Sequence, residues 1–380
     1  MHKTSSPRVD LRSDTVTQPT PAMREAMLAA PLGDDVFADD PSVNTLQDKL
    51  ANLLGFEAAL FVPTGTQSNL CALLAHCQRG DEYIVGQMAH CYRWEGGGAA
   101  VLGSVQPQPL NHQPDGSLLL ADIDAAIKPD DAHFARTRLL ALENTLGGKL
   151  LPFDYVQQAT DLAARHGLAR HLDGARLFNA ATAQAQGLAD NNASNSPLAG
   201  VNQAQTAIHF ESPALTADAI LTQARRIVQC FDSVSVCFSK GLGAPVGSVL
   251  CGTQDFIARA HRIRKMAGGG MRQSGLLAAA ATYALDHHVA RLVQDHALAL
   301  RLADGLSPLP GLVVEAPQTN ILFVDLVGAA RARSAELIPF LATRGVLATG
   351  LYRLRFVTHL DVDTAGIDQA VAAMRDFLAG

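Results

Sequence analysis

The sequence contains no run of about 18 unbroken apolar residues, the length a membrane-spanning helix needs. Its opening, "MHKTSSPRVDLRSDT", lacks the apolar stretch of a secretory signal. Together these absences predict a cytoplasmic protein with no membrane partner. Charge is sparse as well: charged residues make up 17% of the chain and the formal net charge is −6. No basic field is present to attract nucleic acid or anionic lipid, so a small-molecule partner is expected. The six cysteines form no CxxC pair and no zinc-ligand spacing, and most lie in apolar runs. They read as buried thiols in a reducing compartment. HExxH, carboxylate cages and GxxxxGK[ST] are missing too, which leaves no metal site and no Walker loop to argue for. No internal repeat is visible.

What is there is a chain of 380 residues, 48% of them apolar, enough for roughly two domains at about 100 to 200 residues each. Thr20-Pro21 and Asp40-Pro41 each place a capping side chain before a proline at the first turn, and so predict helices over "AMREAMLAA" and "SVNTLQDKLANLLG", the second ending at Gly55. Short apolar runs, "AALFVP", "EYIVG", "RLLALEN", "LARHLD", "SVSVCFS" and "GSVLCG", alternate mostly with helical patterns. Such a pattern predicts an α/β fold with a mainly parallel sheet and helices on both faces. After a helical stretch over 273–306 the alternation restarts with "NILFVDL" and "YRLRFVT", read as a smaller C-terminal α/β domain. The expected organisation is an N-terminal arm (1–20), a large domain (21–280) and a small domain (281–380). Residues 189–218, rich in Asn, Ser, Ala and Gln and without a period, are expected to be an inserted surface loop.

In an open parallel sheet, ligands sit at the carboxyl ends of the strands, so polar residues just after apolar runs draw attention. "PTGTQSN" (63–69) is either an ordinary capped turn or an anion site at a helix N-terminus. Asp173, ending "LARHLD", either caps the next helix or faces a cationic ring nitrogen. His90 is either a satisfied histidine or an imidazole that stacks on a flat ring or moves protons. Lys240, in "SVCFSKGLGAPVG", allows a capped strand end, a generic anion site or a Schiff base. Jointly the four match pyridoxal phosphate, which needs a phosphate anchor, a lysine for its aldehyde and an acid opposite its ring nitrogen. The glycines beside Lys240 are expected to leave room for the cofactor adduct. Alternation in "YRLRFVT" puts Arg353 and Arg355 on one face and Leu354 and Phe356 on the other.

The stretches "DLRSDTVTQPTPAMREAM", "GDDVFADDPSVN", "PTGTQSNL", "HLDGARLFNA", "SKGLGAPVGS" and "RKMAGGGMRQSG" together resemble the low-specificity L-threonine aldolases, from about residue 9 to the C-terminus. The resemblance implies fold type I of the pyridoxal 5'-phosphate enzymes, with a seven-stranded type of central sheet. It further implies cleavage of L-threonine, L-allo-threonine and other β-hydroxy-α-amino acids to glycine and an aldehyde through an external aldimine. Carried over, it makes Lys240 the Schiff-base lysine, Asp173 the partner of the ring nitrogen and His90 the stacked imidazole. Gly65, Thr66 and Gln67 would cradle the phosphate. Ser13, Arg176 and Arg355 would surround the substrate carboxylate, with Arg176 counted among the cofactor contacts too. His133 would sit near the substrate hydroxyl, and the catalytic base is left open between His90 and His133. Lys265 and Arg272 would approach the phosphate across a subunit interface, which implies a homodimer or homotetramer with shared sites. Leu146 departs from the family, where histidine often follows "ENT". Two other readings are a β-eliminating lyase on the same scaffold and an inactive one.

Overall fold

The first strand, β1 (Val9–Asp10), belongs with the C-terminal part of the molecule, while the next seven build the central sheet. These are β2 (Ala58–Val62), β3 (Asp81–Gly86), β4 (Gln106–Leu110), β5 (Arg136–Glu143), β6 (Ala169–Gly174), β7 (Ser233–Cys237) and β8 (Ser248–Gly252), in the order β2-β8-β7-β6-β5-β3-β4. Strands β3 to β7 are mutually parallel and β8 is antiparallel to both its neighbours, so the expected mainly parallel sheet is what forms. Every residue of β7 and β8 is buried, because helices cover both faces. The structure, a computed structural model, describes residues 8–187, 215–350 and 353–379. Most of the expected insert lies outside the described residues. Its last two positions open the helix Ala217–Val228, capped by Thr216.

Local chemistry explains the element starts. Helix α1 (Pro21–Leu28) is capped by Thr20, whose side chain accepts from the Met23 N–H; α2 (Pro41–Leu54) is capped by Asp40. Helix α3 (Gly65–His76) follows β2 and is capped by Thr64, which accepts from the Gln67 N–H. A short helix α4 (His90–Arg93) follows β3. Strand β4, "QPQPL", escapes a sequence reading because Pro107 and Pro109 remove ladder donors, and it is accordingly an edge strand paired with β3 alone. The helical stretch expected over 273–306 is two helices, Gly275–His287 and Leu292–Leu306.

Three apolar clusters pack on the central sheet, the largest running from Met23 to Leu292. Another core joins Leu11 to Leu302, Phe356, Met374 and Phe377. The small part carries an antiparallel sheet of β9 (Leu312–Val314), β10 (Ile321–Leu326) and β12 (Leu354–Val357). The N-terminal arm reaches it through β1, which pairs in parallel with β11 (Val346–Leu347). Ser13 and Asp14 are thereby led between the small part's core and the central sheet. Among the described residues no helix is long and apolar enough to cross a membrane.

Candidate active site

β2 is parallel to β7, since each is antiparallel to β8. The carboxyl ends of β2, β3, β5, β6 and β7 therefore share one edge of the sheet, and that edge collects the site. Thr64 and Gly65 follow β2, His90 follows β3, Glu143 ends β5, Asp173 lies near the end of β6 and Lys240 follows β7. At the start of α3 the helix presents its unpaired N–H groups, the usual seat of an anion. Gly65 is required there: a Cβ would meet the Cys237 sulfur at 2.6 Å. The Ser68 hydroxyl, in the first turn of α3, is buried without a partner. Unpaired backbone N–H groups with a free hydroxyl at a helix N-terminus fit a phosphate.

Around His90 the sheet edge carries a cluster of carboxylates. Asp173 is buried; its Oδ2 accepts from Asn69 Nδ2 at 2.8 Å and its Oδ1 from the Ala175 N–H at 3.0 Å. The second Asn69 N–H goes to Glu95 Oε1 at 2.9 Å, and Glu95 also binds His90 Nδ1 at 2.8 Å. That hydrogen bond, aided by the charge of Asp173, raises the His90 pKa above its ordinary 6.5. Glu143 Oε2 accepts from the His90 N–H at 2.6 Å. Burial, together with the Asp173 carboxylate, pushes the Glu143 pKa up to about 7, and burial raises that of Glu95 as well. Lys240, just past the end of β7, lies close enough for its charge to act on Asp14, His90, Glu143 and Cys237.

The opposite wall is basic. Arg176 is deeply buried and donates Nε and Nη2 to the two oxygens of Asp14 at 2.8 and 2.7 Å. Burial disfavours the Asp14 charge, but Arg176, Lys240 and Asn320 more than offset it and hold its pKa at about 2. Arg355, on β12, gives one Nη to the Arg12 carbonyl at 3.1 Å, while its Nε is buried and unpaired. Burial and the nearby Arg176 lower the Arg355 pKa. Ser13 caps the one-turn helix Asp14–Val16 beside them. Arg353, expected on the same strand face as Arg355, is tied to Glu315 and Asp325.

The structure thus brings together Lys240, Asp173, His90, the start of α3, Ser13, Arg176 and Arg355. It does not bring His133 to them. That side chain is 87% exposed, precedes β5 and binds Asp131. Seven residues of β5 lie between it and Glu143, a length of about 23 Å at the rise of an extended strand. Arg272 pairs with Asp34, and Lys265 lies near the end of its helix in the segment that leads to Gly269, whose backbone packs against Gln67. Of the glycines near Lys240, one has a clear steric role within the chain. Gly247 has φ +109°, and a Cβ there would meet the Phe61 ring at 2.6 Å. Sequence reasoning missed Asp14, Asn69, Glu95 and Glu143. Of these, Glu143 carried a signal, since it ends its strand and pairs in register with Asp173.

The beta-eliminating lyase family matches residues 10–329. A low-specificity L-threonine aldolase of Escherichia coli K12 is 50% identical over 371 residues, covering 98% of this chain and 99% of that one. Among solved structures, a threonine aldolase of Leishmania major superposes with TM-score 0.74 at 20% identity, over 97% of this chain and 99% of that one. A serine palmitoyltransferase from S. paucimobilis with bound PLP gives TM-score 0.70 at 16% identity, over 97% and 87% of the two chains. These two likenesses speak for the fold.

Proposed function

The chain belongs to the beta-eliminating lyase family and, within it, to the low-specificity L-threonine aldolases, and on that premise we propose that it uses pyridoxal 5'-phosphate to cleave L-threonine and L-allo-threonine to glycine and acetaldehyde. Other β-hydroxy-α-amino acids would yield glycine and the matching aldehyde. The observation that carries the reading is the meeting, at one edge of the sheet, of Lys240 after β7, Asp173 near the end of β6, His90 after β3 and the N-terminus of α3 after β2. When bound, the cofactor supplies an aldehyde for that amine and a conjugated ring that accepts the electron pair of the breaking Cα–Cβ bond.

The protein's own groups do the rest. Gly65, Thr66 and Gln67 hold the phosphate at the α3 N-terminus, and Asp173 offers its carboxylate to the ring nitrogen. Arg176 spends two nitrogens on Asp14, so Arg355, with its free Nε, is the residue that takes the substrate carboxylate, steadied by Ser13 and Arg176. Fixing that carboxylate turns the Cα–Cβ bond into the reacting geometry. Glu95 accepts from His90 Nδ1 and so leaves Nε2 as an acceptor; the raised pKa makes that nitrogen a better base for the substrate hydroxyl proton. His90 is therefore the base in this reading, and His133 is not needed within one chain. The reading includes a homodimer or homotetramer with shared sites: Met266, within the 265–272 segment, and Phe37, in the turn whose Asp35 N–H bonds to the Arg272 carbonyl, are 73% and 75% exposed and offer apolar surface suited to a second subunit.

The test is product analysis with L-threonine and L-allo-threonine. Acetaldehyde and glycine in equal amounts support the reading, and 2-oxobutyrate with ammonia, the products of β-elimination from threonine, overturns it. Lys240→Ala is expected to lose turnover, and borohydride reduction should attach the cofactor at Lys240 in the wild type alone. Normal turnover by Lys240→Ala contradicts the assignment.

A further inference from the structure

Behind Asp173 a line of buried polar groups runs away from the site. On β6, His171 and Asp173 are two residues apart and share a face. On α3, Asn69 and His76 are seven apart, two turns along one face. The two faces interlock through Ser233, the β7 residue in register with His171. Asn69 Oδ1 lies 3.3 Å from His171 Nε2; His171 Nδ1 lies 2.8 Å from Ser233 Oγ; Ser233 Oγ lies 2.7 Å from His76 Nε2. Asn69, His171 and Ser233 are almost wholly shielded from solvent.

The direction of every hydrogen bond follows from the carboxylates. Asn69 must turn its NH2 toward Asp173 and Glu95, since its oxygen there would face two acceptors. Its Oδ1 then needs a donor, so His171 carries its proton on Nε2 and accepts at Nδ1 from the Ser233 hydroxyl. Ser233, its hydrogen spent, accepts from His76 Nε2–H. Both imidazoles are neutral: burial draws His171 down to about 3, with His76 adding to it, and draws His76 down to about 4. Phe256 stacks on His76 at 4.4 Å and fixes the outer ring, which lines a surface cavity of about 470 Å³. An amide does not pass protons as imidazole and hydroxyl groups do, so the line works by orientation and not as a proton wire.

We propose that His171, Ser233 and His76 are positioning residues that hold the Asn69 amide with its N–H toward Asp173, so that this carboxylate stays charged opposite the ring nitrogen of the cofactor. The inference rests on the reading of Asp173 given above. A purely structural polar core would influence any bound cofactor equally, whereas this line acts through one ring atom. The test titrates cofactor-free protein with pyridoxal 5'-phosphate and with its 1-deaza analogue, in which carbon replaces the ring nitrogen, and compares the ratio of the two dissociation constants. His171→Leu removes the donor to Asn69, while His171→Gln keeps one N–H and one acceptor. The wild-type preference for the natural cofactor is expected to fall about tenfold in His171→Leu and to stay within about threefold in His171→Gln. Ser233→Ala, a smaller change, should lower it about threefold and serves if His171→Leu does not fold. An unchanged ratio in the folded variants overturns the inference alone, and no preference in the wild type overturns the reading of Asp173 together with it. A wild type that binds neither compound overturns the cofactor reading as well.

Discussion

On the sheet edge, Glu95, Glu143 and Asp173 gather three carboxylates around His90 and Lys240; on the facing wall, Arg176 and Arg355 meet one carboxylate, Asp14. Burial acts on both walls, yet the pKa values move in opposite directions. Glu143 rises because its nearest charge is another carboxylate, and Asp14 falls because a guanidinium grips both its oxygens. Each wall thus lacks what the other has in excess. The sheet edge has room for a cation and the basic wall for a carboxylate, which is the polarity of a protonated ring nitrogen on one side and an amino-acid carboxylate on the other. Complementarity of this kind orients a small zwitterion before any chemistry begins.

The sharpest way to break the comparison is to remove the unpaired cation. Arg355→Ala should raise KM for L-threonine roughly 100-fold, since one charge-assisted, largely desolvated contact is lost. Cofactor affinity should change by less than about twofold, because the contact lies on the other wall. Arg355→Lys should recover only part of the loss, as an ammonium lacks the planar fork. Measuring KM and cofactor affinity side by side decides the matter. A loss of cofactor binding equal to the loss of substrate binding would mean that the walls are not separate.

Much of this was open to sequence reasoning, for definite reasons. The strands were legible because a sheet covered on both faces turns into continuous apolar runs, and two helix starts because Thr20 and Asp40 cap them. Lys240, Asp173 and His90 were legible as polar residues following such runs. The partners that tune them were not. Asn69 and Asp173 are 104 residues apart, and Asp14 and Arg176 are 162 apart, so only the fold makes them neighbours. His133 misled in the opposite way: the motif around it is in order, but the length of β5 lies between it and the cluster. The glycines after Lys240 were legible as part of the site, but the Phe61 ring behind Gly247, which forbids a side chain there, was not.

A smaller effect probes the basic wall through stability. The Asp14 carboxyl is held at about 2 in the folded chain against 3.8 in an unfolded one, so the unfolded chain binds its proton first as pH falls. The stabilisation is complete above pH 3.8 and is lost as pH falls through 2. The change is roughly 2 kcal/mol across that window. Asp14→Asn should remove this slope from the unfolding free energy between about pH 4 and pH 2, over and above a constant penalty for leaving Arg176 unpaired. Denaturant titrations at several pH values read the slope. A variant that keeps the wild-type slope would show that another group controls acid stability.

The least of the expected effects belongs to the sheet edge, and its sign is the reverse. In the folded chain Glu143 holds its proton up to about 7, against 4.5 when unfolded, so folding is favoured below pH 4.5 and loses that advantage as pH rises through 7. Asp173 stands in register beside Glu143, and its charge adds to the cost that burial sets on ionising Glu143. For the cofactor-free protein, Glu143→Gln should therefore gain roughly 1 kcal/mol on the wild type between about pH 5 and pH 8, a modest share of the cost of charging a buried carboxyl. The same denaturant titrations, extended upward in pH, supply the measurement. Opposite slopes for Asp14→Asn and Glu143→Gln are what two walls of opposite charge imbalance require; slopes of one sign would mean that burial alone, and not the neighbouring charges, sets how this site titrates.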